Sequence, residues 1–149
     1  MEKLISIFNK HNKCVFETGV WILYLSKEDV KIVKILNENV FSIENNFQIF
    51  GNQIMLSEIY YILCRTLGMK KSKGILHHIQ RMISIIDSQS IFLLAGMLKC
   101  KFPISLADCY SISTGIIRDC PIVFKEEHEL NHSVLKEIEE KFKAPIVVI

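Results

Sequence analysis

Short apolar runs alternate with helix-period segments from one end of this 149-residue chain to the other. Cys14-Val15-Phe16, Phe47-Gln48-Ile49-Phe50, Ile83–Ile86, the run from Pro121 to Phe124 and Pro145–Ile149 read as strands. Each is followed or preceded by a stretch whose apolar residues recur every three or four positions, the spacing of one helix face. Strands that alternate with helices argue a mostly parallel sheet covered on both faces. In such sheets ligands bind outside the carboxyl ends of the strands.

The helices carry their own punctuation. Val20–Leu25 predicts a short helix, and Ser26 predicts the N-cap of a second one that runs to about Asn37, with Glu28 and Asp29 in its first turn. Gly51-Asn52 closes the second strand, Gln53–Leu67 predicts a helix, and Gly68 stops it. Lys70–Ile83 is a further helix with a basic face, and Asp87 or Ser88 caps the next one through Leu98. Phe102-Pro103 breaks the pattern, Ile104–Arg118 predicts a long buried helix, and Ser133–Phe142 an amphipathic one. No repeat or linker interrupts the series. One domain over 1–149 follows, with 1–13 as an N-terminal extension before the first core strand.

Half the residues are apolar, and 18 Lys and Arg balance 16 Asp and Glu. That balance excludes a strongly basic nucleic-acid coat but leaves room for a local basic groove. The five cysteines stand at wide intervals with no CxxC pair, which favours reduced thiols in a cytoplasmic protein over disulfides or zinc. No run reaches the roughly 18 apolar residues of a membrane span.

Four carboxylates stand at element ends. Glu17 follows the first strand, Glu58 lies early in the helix of Leu56–Tyr61, Asp108 interrupts the apolar face of Ser105–Asp108, and Glu126 ends the run after Phe124. Burying a carboxylate is costly unless it is paired or bound to a cation. Oxygen donors meeting at one pole suit Mg²⁺ or Mn²⁺. Each acid alone also has an ordinary reading: Glu58 as a helix-dipole carboxylate, Asp108 as a cap, Glu126 as a solvated residue. The pattern alone leaves both readings open.

The segment Ser105-Leu106-Ala107-Asp108-Cys109-Tyr110-Ser111-Ile112-Ser113-Thr114-Gly115 resembles the PIN-domain run (S)LADAxIxATA. Cys120-Pro121-Ile122-Val123-Phe124-Lys125-Glu126 is similar to that family's APLVTxD. Leu56-Ser57-Glu58-Ile59-Tyr60-Tyr61 resembles its LAEIYY helix, and Val15-Phe16-Glu17-Thr18-Gly19-Val20 its LDTxVL start. The pieces occur in family order over about residues 14 to 149. The resemblance implies a three-layer α/β/α PIN-like domain with a short, mostly parallel sheet, of the kind found in VapC toxins of type II toxin–antitoxin pairs. It implies Mg²⁺ or Mn²⁺ held by Glu17, Glu58, Asp108 and Glu126, the same four acids being catalytic. Thr18 and Thr114 would orient a carboxylate or a water. It further implies an RNA substrate, a homodimer and a small antitoxin protein. The first acid, usually Asp, is here Glu17, one methylene longer. That departure keeps a second outcome open, a PIN-like module that has lost catalysis and binds RNA or protein.

The densest basic stretch contains Arg65, Lys70, Lys71 and Lys73, with His77, His78 and Arg81 beyond. It reads either as RNA phosphate contacts or as a solvated helix face. Gly68-Met69-Lys70-Lys71-Ser72 lacks the spacing of a phosphate-binding loop.

Overall fold

Side chains on the central strands alternate between two buried cores, and this alternation is what builds the layers. The structure is a computed structural model that describes residues 2–128 and 130–149. Five strands, β1 (Lys13–Phe16), β2 (Gln48–Asn52), β3 (Ile83–Ile86), β4 (Ile122–Phe124) and β5 (Ile146–Val148), form one sheet in the order β3-β2-β1-β4-β5. Every pairing is parallel, with Val15 opposite both Phe50 and Ile122. Cys14, Phe16 and Val123 face one core; Val15, Ile122 and Phe124 face the other. A period of two and burial on both faces explain why these runs are almost wholly apolar.

The first core is closed by α1 (Glu2–Lys10), α2 (Thr18–Ser26), α3 (Val30–Asn39), α4 (Gln53–Leu67) and α5 (Met69–Met82). The second is closed by α6 (Phe92–Lys101), α7 (Leu106–Arg118) and α8 (His132–Phe142). The result is three layers, α/β/α. The segment read as an N-terminal extension is mostly helix α1, whose Leu4 and Phe8 are buried; the Phe8 ring stands edge-on to Phe16, with centroids 6.4 Å apart.

Several boundaries differ from the sequence expectation. Ser26 ends α2 instead of capping α3, because Lys27 takes the left-handed conformation (φ 55°) and stops that helix. Asp29 is the cap of α3 and accepts from Lys31 N at 2.8 Å and Ile32 N at 3.1 Å. Gly51 and Asn52 belong to β2, and Asn52 caps α4 through Met55 N at 2.9 Å. Asp87 caps a short 3-10 turn (Ser88–Ser90), and α6 starts only at Phe92. The long helix begins at Leu106, with Ser105 as its N-cap. No helix among the described residues is long and apolar enough to cross a membrane.

Candidate functional site: an acidic cavity at the β1–β4 crevice

In the strand order β3-β2-β1-β4-β5 the chain winds outward from β1 in one direction, then restarts on the other side at β4. The loops after β1 and β4 therefore part, and the crevice between them is where such a sheet binds ligands. A cavity of about 400 Å³ opens there, lined by Glu17, Thr18 and Gly19 after β1, and by Phe124, Lys125 and Glu127 at the end of β4. Glu58 and Tyr61 of α4, and Ser105 and Asp108 at the start of α7, complete its acidic side. A hollow of about 410 Å³ at the opposite end of the sheet, around Asn9, His11 and Asn12, has no carboxylate in its lining.

Glu17 is buried, at 8% exposure, and its carboxylate is heavily used. Oε1 accepts from Val20 N and from Lys125 N, both at 2.9 Å, and Oε2 accepts from Gly19 N at 2.6 Å. Glu17 is thus the N-cap of α2 and also ties that helix to the end of β4. A carboxylate offers about four acceptor sites, so three bonds leave one. Burial drives the Glu17 pKa up to about 7, and the nearby Asp108 charge adds to the rise; the three N–H groups oppose it. The extra methylene that separates Glu from Asp is what lets one side chain cap a helix and reach the next strand.

Glu58 stands half-buried on α4, and its Oε2 accepts from Thr18 Oγ1 at 2.6 Å. Thr18 therefore orients a carboxylate. Asp108 is half-buried in the first turn of α7, where its N–H donates to Ser105 Oγ at 2.9 Å. Burial raises its carboxyl pKa, against the opposing pull of the Ser105 hydroxyl and backbone and of the Lys99 charge. Lys125 is the one cation in the described lining, and its ammonium is 2.7 Å from Glu28 Oε2 at the surface. No cation of that lining is left for the carboxylates; from outside it, the Lys99 charge reaches Asp108.

Glu126 is placed elsewhere. Its N–H donates to Ile149 O at 2.7 Å, continuing the β4–β5 pairing beyond the strand, and its side chain points outward to His132 Nε2 at 2.9 Å. The next residue stands on the cavity side. Glu127 lines the cavity, and its Oε1 lies 3.1 Å from where a Cβ on Gly19 would sit, a point 2.7 Å from Glu17 Oε1.

Thr114 does not orient a carboxylate. It is fully buried, accepts from Asn52 Nδ2 at 3.0 Å and donates to Tyr110 O at 2.8 Å. Asn52, which the sequence presented only as a strand end, is the buried tie between β2, α4 and α7. Its position one residue before a helix was the available signal. Arg65, Lys70, Lys71 and Lys73 are exposed and outside the cavity lining; Arg65 places its guanidinium carbon 5.0 Å from the ring centre of Tyr61, which does line it.

One chain of VapBC2 from Rickettsia felis, solved bound to a DNA fragment from the promoter, superposes on 92% of this chain and 97% of its own. The TM-score is 0.63 at 17% identity. For DNA-bound VapBC from Salmonella typhimurium the values are 91%, 97%, 0.62 and 13%. The chain has a PIN-like fold. At these identities the likeness is one of fold. No family model matches the sequence, nor does any curated protein sequence.

Whether the PIN-like domain suits a hard divalent cation can be judged from its donors. The cavity offers carboxylate oxygens with no wall cation to neutralise them, which is the chemistry Mg²⁺ and Mn²⁺ require. Among the described residues, no three Asp, Glu, His or Cys side chains stand close enough to form a ready cage. Mg²⁺ binds through one or two carboxylates and keeps several waters, so a preassembled cage is not a condition. The donor set fits.

Proposed function

We propose that this PIN-like domain is a VapC-type endoribonuclease, a cytoplasmic toxin that hydrolyses RNA phosphodiester bonds with the help of Mg²⁺ or Mn²⁺. The observation that carries the proposal is the convergence of Glu17, Glu58 and Asp108, from three separate elements, on one cavity at the β1–β4 crevice whose single lining cation, Lys125, is paired with Glu28 instead. Asp108 and Glu58 would hold the ion. Glu127 would supply the acid expected at Glu126, and Glu17 has one acceptor site left for it. When bound, such an ion lends positive charge to a phosphodiester and acidifies a water.

The chain's own residues prepare that chemistry. Thr18 fixes one oxygen of Glu58, and among the described residues the other accepts no hydrogen bond. Ser105 anchors the turn that presents Asp108. Glu17 holds the backbone at Lys125, and with it the loop that carries Glu127. The two structural neighbours are VapBC assemblies, which supports a small antitoxin protein as partner; a homodimer belongs to the same reading.

The test is RNA cleavage with Mn²⁺ by the native chain and by three variants. Asp108→Asn is expected to abolish cleavage, Glu127→Gln to reduce it by one to three orders of magnitude (roughly 1–4 kcal/mol of barrier), and Glu126→Gln to leave it near native. Cleavage that persists in Asp108→Asn and in EDTA contradicts the proposal.

One observation favours a second reading, a binding module without catalysis: three of the acceptor sites on Glu17 are spent on backbone N–H groups. Folded protein that binds no Mn²⁺ at millimolar concentration would establish that reading instead.

A further inference from the structure

Tyr61 sits three residues after Glu58 on α4, so both side chains project from one helix face. It lines the same cavity as the acids yet is 45% exposed. Only one other aromatic among the described residues is comparably exposed, Phe92, on the opposite layer of the domain. The Tyr61 ring is held from one side by Arg65, at 5.0 Å, a separation at which a guanidinium is attracted to the ring.

Tyr61 is also where a run of one-sided charge begins. Residues 59 to 86 contain no Asp or Glu but include Arg65, Lys70, Lys71, Lys73 and Arg81. The remainder of the chain has thirteen Lys and Arg against sixteen acids, so positive charge is concentrated in the α4–α5 hairpin. Among the described residues none of these five cations is in an ion pair. A polyanion is the partner that such a concentration of positive charge fits.

We infer that Tyr61, with Arg65 on its ring, stacks a base of single-stranded RNA whose backbone is led along the α4–α5 hairpin into the acidic cavity. Every base offers a flat π face, so an exposed ring at the rim grips a strand without reading its sequence. A duplex keeps its bases paired and stacked and has none to offer. The inference rests on the nuclease reading for its substrate, but it concerns binding and is tested without cleavage.

The experiment is fluorescence anisotropy of the full chain in EDTA with three labelled probes of equal length: an oligouridylate, an abasic ribose-phosphate oligomer and an RNA duplex. The native chain is expected to prefer the oligouridylate to both others. Tyr61→Ala should weaken oligouridylate binding about tenfold and abolish the preference over the abasic probe, while Tyr61→Phe retains it. Joint Lys70→Ala, Lys71→Ala and Lys73→Ala should weaken all three probes alike and flatten the salt dependence. Equal affinity for oligouridylate and abasic probe in the native chain, or a Tyr61→Ala variant that binds as the native does, overturns the inference. So does affinity for none of the probes, which would leave that face to a protein partner. A chain that prefers the oligouridylate through Tyr61 yet binds no Mn²⁺ upholds the inference and removes the nuclease reading.

Discussion

Glu17 looks from sequence like an imperfect ligand, a carboxylate one methylene too long for its place. In the structure that length lets it accept from Val20 N, Gly19 N and Lys125 N at once. Glu17→Asp would keep a helix cap but fall short of the β4 end. The unpaired N–H at Lys125 predicts a loss of about 1–3 kcal/mol, read as a lower urea midpoint, and the one released acceptor site predicts tighter Mn²⁺ binding. The same burial sets a pH dependence. In the metal-free protein Glu17 holds its proton up to about pH 7, against 4.5 for an ordinary glutamate. The folded state therefore binds the extra proton between those values. This contribution is full below pH 4.5 and lost as pH rises through 7. The shift corresponds to on the order of 3 kcal/mol, and Asp108, also raised, acts in the same direction. Urea midpoints in EDTA should fall across that window, and Glu17→Gln should flatten the fall.

At the scale of elements, legibility followed how local each cause was. The bounds of α4 were readable to the residue because Asn52 and Gly68 flank it directly. The start of α3 was not: the helix before it, α2, is stopped by a lysine in a left-handed conformation, which sequence does not announce. That Glu127 and not Glu126 lines the cavity has a tertiary cause, the pairing of Glu126 N with Ile149 O. Asp108 lines the cavity through causes that are both local, the Ser105 cap and the helix turn that present it. Helix α7 also depends on a close approach. A Cβ on Gly115 would collide with the Ile122 side chain and stand 3.1 Å from Cys120 O. Gly115→Ala is accordingly expected to cost about 1–3 kcal/mol through overpacking, seen as a lower thermal midpoint with no change in the residues that line the cavity.

For the molecule as a whole, the layered fold was legible because apolar runs that alternate with helix-spaced segments leave few other arrangements. What sequence could not supply was the identity of the residues that share a cavity. Thr114, Asn52 and Glu127 were sorted only by the three-dimensional meeting of β2, α7 and the loop after β4. The same folding places an acidic crevice beside a hairpin of one-sided positive charge, the layout expected of a protein that draws in a polyanion and acts on it with a cation. The central claim is that the crevice holds that cation. Calorimetric titration of the metal-free chain with Mn²⁺, beside Asp108→Asn, tests it most directly. Saturable binding in the native chain that disappears in the variant is predicted; a folded native chain that gives no binding heat at millimolar Mn²⁺, or a variant that binds as tightly, would contradict it.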